Sequence, residues 1–181
     1  MRQPVLSPEK ERKNMTIIEI CNLLRAELMH NGYQYGFVVE GQIYKPNMAE
    51  GFDAAFYHLA NTVSRVQDPS LTQKEKVGTC IDTVLVMQKM LNAHNIPSKI
   101  WLLYHKEKNK VHTILTFAAE GKTVYLELTP QSSKPWYGRE ILYDTEQKML
   151  QEYQNNGYEI SDVTNKIIVG ERPYFLLEKL K

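Results

Sequence analysis

The apolar positions change period several times along the chain, and each change predicts an element. Ile17, Ile18, Cys21, Leu24 and Leu28 recur at the three-four spacing of an amphipathic helix over Met15 to His30, which Asn31-Gly32 ends. A turn-rich stretch with Gly36, Gly41 and Pro46 follows, holding a short strand at Phe37 to Glu40. A second helix is expected from Ala49 to Val66, stopping before Asp68-Pro69, and residues 70–78 read as polar. Ile81 to Leu91 is apolar on nearly every side, which predicts a central buried helix closed by Asn95 and Pro97. Ser98 to Tyr104 reads as a buried strand, and His105 to Lys110 as a charged turn. Val111 to Ala118 and Thr123 to Leu128 form a hairpin around Glu120-Gly121. A helix near Thr145 to Gln154 and a weak strand near Lys166 to Val169 complete the chain. Helices come first, then a buried helix, then an antiparallel sheet, so the expected class is α+β.

No internal repeat and no Gly-, Ser- or Pro-rich linker divides the chain. Residues 1–14 read as a polar arm and residues 15–181 as a single domain.

The buried helix begins at a reactive residue type. In Gly78-Thr79-Cys80-Ile81-Asp82, Thr79 is placed as N-cap and Asp82 as the third helical residue, a variant of the capping box. Cys80 then lies in the first turn, where unpaired N–H groups and the helix dipole favour a thiolate. Gly78 permits a sharp bend and a close backbone approach just before it. A small buried hydrophobe is the commoner fate of a cysteine. The hairpin supplies the rest of a possible set, because a nucleophilic thiol needs a base and the base needs an orienting acceptor. With a two-residue loop at Glu120-Gly121, position 114 faces 127 and position 112 faces 129. His112 and Glu127 then share a face as diagonal neighbours, about 7–8 Å apart. An odd loop would place Glu127 on the opposite face.

These segments resemble the bacterial transglutaminase-like superfamily of papain-like cysteine enzymes. The resemblance rests on Gly78-Thr79-Cys80-Ile81-Asp82, the long apolar helix, Asn95-Ile96-Pro97-Ser98-Lys99-Ile100, His112 at a strand start, and Tyr125-Leu126-Glu127-Leu128-Thr129-Pro130. It covers about residues 70–135 and implies a papain-like core, with a Cys80 helix packed on an antiparallel sheet carrying His112 and Glu127. It further implies Cys80 as nucleophile, His112 as general base and acid, and Glu127 in place of the family's orienting Asp. Three departures stand out: Glu127 where the family has Asp, Ile114 where an aromatic residue often follows the histidine, and Asn95 where the turn usually has Gly.

Composition narrows the partners. The 181 residues carry 22 basic and 21 acidic side chains, a balance that offers no footprint for nucleic acid and no pull toward anionic membranes. No apolar run approaches the ~20 residues of a membrane helix, and the N-terminal residues lack a signal-peptide core. With two cysteines and no Cys-x-x-Cys, a reducing, cytoplasmic setting is expected. His30, His58, His94 and His105 lack metal spacing, and no calcium loop or Gly-rich phosphate loop occurs, so neither metal nor cofactor is expected. Gln73 stands upstream of Cys80 roughly where papain-like enzymes carry an oxyanion-hole Gln, although loop glutamines are common. Trp136 and Tyr137 are candidates for a substrate-binding wall. The expected function is a thiol-dependent amide hydrolase or acyl transferase, working on a peptide or protein amide through a Cys80 thioester. A non-catalytic interaction module of the same fold is the alternative.

Overall fold

The computed structural model describes residues 14–47 and 53–180. The polar arm, apart from Asn14, and the start of the helix expected from Ala49 lie outside the described residues. The chain is a mixed α+β fold with a five-stranded antiparallel sheet. In chain order the elements are α1 (Ile17–Leu28), β1 (Gln34–Tyr35), β2 (Phe37–Val39), β3 (Gln42–Tyr44), α2 (Ala54–Val63), α3 (Pro69–Glu75), β4 (Val77–Gly78) and α4 (Cys80–Ala93). There follow β5 (Ser98–His105), β6 (Lys110–Ala119), β7 (Lys122–Leu126), β8 (Glu140–Tyr143), α5 (Glu146–Asn155), β9 (Glu159–Asp162) and α6 (Tyr174–Leu177), the last running into a 3-10 turn.

Local chemistry accounts for most boundaries. Thr16 caps α1 with a full capping box to Glu19. The second helix ends before Asp68-Pro69 as expected, at Val63, and the same pair also starts a helix that was not expected. The Asp68 side chain accepts from the N–H of Ser70 and Pro69 occupies the first helical position, where no N–H is missed. This opens α3 in the stretch expected to be merely polar. The hairpin turn is the expected two-residue one, with Glu120 at φ 49° and Gly121 at φ 71°. Both are left-handed, as a type I′ turn requires. Glu120 is an unusual residue there, and its carboxylate accepts the Ile17 N–H at 2.7 Å, tying the turn to the start of α1.

The sheet runs β8-β7-β6-β5-β9, each neighbour antiparallel. Its two faces bury different cores. Ile100, Leu102, Leu115, Phe117, Val124 and Leu126 pack with α1 and α4 on one face. Trp101, Leu103, Ile114 and Tyr125 pack with Met149 of α5 on the other. α4 is buried almost all round at its N-terminal half, from Ile81 to Met87. Two outer strands lie outside the expected elements: β8 is only four residues long, and β9, Glu159-Ile160-Ser161-Asp162, offers a single apolar residue. Conversely, the strand expected near Lys166 to Val169 does not form. Ile168 and Val169 are 54% and 47% exposed, and β-propensity without a free sheet edge beside it organises nothing.

Candidate active site

Cys80 is the first residue of α4, placed by a bend that tolerates nothing larger than glycine at position 78. A Cβ there would meet Asp82 Cβ at 2.9 Å and Thr72 Cγ2 at 3.0 Å. Asp82 is buried and accepts from the Thr79 N–H, the Thr79 hydroxyl and the Gln67 N–H, each at 2.9 Å. Burial nonetheless raises its pKa to about 6. Gln67 is itself a buried brace, accepting from Val38 N–H and donating to Thr72 and the Val77 carbonyl. The start of α4 is therefore held from three directions.

The hairpin carries the second and third groups. The β6–β7 register pairs Thr116 with Tyr125 and Ala119 with Lys122, and the same parity extended past the end of β7 sets 114 toward 127 and 112 toward 129. His112 and Glu127 consequently meet, with Nε2 of the imidazole 2.6 Å from Glu127 Oε2. That bond leaves Nδ1 as the ring nitrogen available to the thiol. Glu127 is 2% exposed, whereas the His112 side chain is 26% exposed. Glu127 Oε2 also accepts from the Tyr125 hydroxyl, and its Oε1 takes the Thr129 N–H at 2.9 Å. Burial pushes the Glu127 carboxyl up, but hydrogen bonding and the charge of His112, with the Tyr125 and Thr129 donors, outweigh it and bring the pKa down to about 2.

Cys80 and His112 are electrostatically coupled. Burial pushes the Cys80 thiol up, yet hydrogen bonding to His112 and the imidazolium charge, reinforced by Thr113, outweigh burial and lower its pKa. Burial disfavours the imidazolium as well, and the Cys80 and Glu127 partners reverse this, raising His112 to about 10. The three shifts run in one direction, toward thiolate, imidazolium and carboxylate. Cys21 is the internal contrast: it is wholly buried in the apolar core, and desolvation raises its pKa to about 11.

A cavity of about 290 Å³ opens over the sulfur, bounded by Tyr35, Tyr57, His112, Thr129 and Gln131. Tyr35 reaches it because β1 pairs in parallel with β4, setting Tyr35 beside Gly78. Its phenol is held neutral by burial and by the charge of Cys80. A neutral hydroxyl and the N–H of Cys80, at the donor-rich first position of a helix, are both suited to a developing oxyanion. Tyr57 donates to Gln131 Oε1 at 3.0 Å across the same rim.

The remaining candidates fall elsewhere. Gln73 sits on α3, where Lys89 Nζ donates to it at 2.7 Å, and it does not line the Cys80 cavity. Trp136 lines an adjoining cavity that His112 also borders. Tyr137 feels the charge of Glu127 but lines neither of these two cavities. Asn95 has φ 57°, the left-handed conformation that Gly favours and Asn tolerates. Sequence reading missed Tyr35 and Tyr57 because no periodicity or spacing links them to Cys80. Among the described residues no group of three His, Cys, Asp or Glu side chains is placed to hold a metal, and no helix is long and apolar enough to cross a membrane. Neither protein-family models nor curated proteins match the chain.

Proposed function

We propose that the chain is a cysteine enzyme that cleaves or transfers an amide acyl group, in the manner of the papain-like and transglutaminase-like enzymes its segments resemble. The observation that carries the reading is the 2.6 Å bond from His112 Nε2 to a buried Glu127, combined with a Cys80 thiol lowered by the same histidine. A purely structural ion pair would not need to couple to a thiol at a helix start as well.

The Cys80 thiolate attacks the carbonyl carbon of the amide. The carbonyl oxygen takes the negative charge, stabilised by the Cys80 N–H and the Tyr35 hydroxyl. His112, already an imidazolium, delivers its proton to the leaving nitrogen, the C–N bond breaks and a thioester remains on Cys80. Glu127 keeps the imidazole oriented through Nε2 and offsets its charge. A second nucleophile then gives its proton to His112 and attacks the thioester, expelling the thiolate. Water yields hydrolysis, and an amine yields a new amide.

The reading is tested by following thiolate absorbance against pH in the wild type, His112→Ala and Glu127→Gln. A Cys80 pKa that rises in both variants supports it. An unchanged titration in His112→Ala refutes the pairing and leaves an interaction module of the same fold as the better account.

A further inference from the structure

Beyond the Cys80 cavity lies a second one of about 500 Å³, and the two share Leu103, His112, Lys134 and Tyr158 as their common wall. Its interior is aromatic: Tyr125, Trp136, Tyr143 and Tyr153 join Tyr158 around it. Cys80 borders the first cavity and not the second, so a substrate whose carbonyl sits on the sulfur reaches the aromatic cavity across the shared wall, where His112 is the group able to move a proton. That order has a chemical meaning. In amide cleavage by a Cys-His pair the acyl carbon bonds to sulfur, and the nitrogen that leaves must lie against the imidazolium that protonates it. Whatever continues beyond His112 is therefore attached to nitrogen.

The Trp136 indole N–H donates toward the Tyr125 hydroxyl, which holds the indole ring as a fixed wall of the cavity. Lys108 and Lys134 border the cavity against the single carboxylate of Glu152, giving it a net positive rim. A third hollow, of about 480 Å³ and bounded by Tyr33, Pro46 and Pro130, shares Tyr35 and Gln131 with the Cys80 cavity and no lining residue with the aromatic one, and offers room for the acyl half.

Resting on the cysteine-enzyme reading, we propose that the aromatic cavity binds the amine half of the amide, and that this half carries an aromatic ring directly after the reacting nitrogen, as in a peptide with Phe, Tyr or Trp following the scissile bond. The same cavity would admit an aromatic amine as acceptor for the thioester.

The experiment loads Cys80 with acetyl from p-nitrophenyl acetate. The thiolate attacks the ester carbonyl, p-nitrophenolate leaves and a thioester forms. Intact-mass and peptide mass spectrometry then follow loss of the acetyl group in buffer alone, with L-alaninamide, and with L-phenylalaninamide at equal concentration. The amine attacks the thioester, its proton passes to His112, and the N-acetyl amide departs from the regenerated thiolate. The expected result is that phenylalaninamide accelerates deacetylation at least about tenfold more than alaninamide, relative to water in the same sample, a discrimination within what burying an aromatic group can supply. Trp136→Ala and, separately, Tyr153→Leu should each remove most of that preference, with deacetylation by water as the internal reference in each variant. Acetyl-Cys80 that forms but is resolved equally by the two amines overturns this inference while leaving the cysteine-enzyme reading in place. Failure of Cys80 to acetylate faster than Cys21 overturns both.

Discussion

The same three elements, α4 and the β6–β7 hairpin, end in two very different places. At one end stand the first turn of α4 and the open end of the hairpin. There Cys80, His112 and Glu127 converge, with a cavity over them. At the other end the last turn of α4 and the closed hairpin turn border a larger hollow of about 870 Å³, whose ionisable side chains are His94 and Glu120. Each end has a glutamate and a histidine. At the far end Glu120 already accepts the Ile17 N–H and ties down α1, and among the described residues no hydrogen bond or ion pair joins it to His94. Cavity size is therefore a poor guide to the site. What distinguishes the two ends is polarity of the helix: its N-terminus presents unpaired N–H groups that favour an anion, whereas its C-terminus presents carbonyls that do not.

The comparison breaks most sharply at the sulfur. Cys80→Ala is expected to reduce turnover of any amide or ester substrate by about a thousandfold or more, because oxyanion donors and binding alone leave little catalysis. A residual rate near wild type would move the chemistry away from this end of the helix. Next in size is the third group. Glu127→Gln keeps the length but loses the charge that offsets the imidazolium, so kcat should fall on the order of a hundredfold. Glu127→Asp keeps the charge and loses one methylene from a 2.6 Å bond, so it should fall less, with a bridging water spanning the gap. The order wild type, Asp, Gln is measurable by steady-state kinetics, and a fully active Gln variant would place the orienting group elsewhere.

Thiol reactivity sharpens the contrast without needing a substrate. Near neutral pH, iodoacetamide should modify Cys80 at least about tenfold faster than Cys21, whose thiol is buried and raised to about 11. Site-resolved mass spectrometry over time decides this, and equal rates would remove the activated thiol. The pH profile follows from the same charges. His112 is raised to about 10, so under the proposed mechanism kcat/KM should hold through neutral pH and fall as pH rises through about 10, when the imidazolium is lost. Glu127 is lowered to about 2, so its contribution to stability is complete above its ordinary 4.5 and is lost as pH falls through about 2. A kcat/KM that declines already between pH 7 and 8 would contradict the raised histidine.

The smallest effect lies at the opposite end. Glu120→Ala removes the acceptor for the Ile17 N–H, which should lower stability by about 1 kcal/mol and Tm by about 2–4 °C, with kcat unchanged. A loss of activity in this variant, beyond what unfolding explains, would mean that the two ends communicate.

Much of this was legible from the chain alone. The apolar density of Ile81 to Leu91 led to α4, and Glu120-Gly121 led to a two-residue turn whose even parity put His112 and Glu127 on one face. Helix periodicity, capping residues and strand alternation are local, so they can be read from neighbours in sequence. The errors share an opposite cause. Asp68-Pro69 does follow a helix end, but that it also opens α3 shows only once the following polar residues find something to pack on. The apolar run Ile167-Ile168-Val169 lacks a partner edge, and the polar β9 has one in β5. Strand pairing across more than fifty residues carries no local signature.

Residue order thus determined which side chains could act and which faces they occupied. Tertiary structure decided their company: Tyr35 beside Gly78 through the parallel β1–β4 pair, Gln67 under the helix cap, and the aromatic cavity assembled from β7, β8 and α5. Those neighbours are brought together by burial of two cores on opposite faces of one sheet. Burial is non-directional, so its outcome depends on the whole chain at once and is written in no single segment of it.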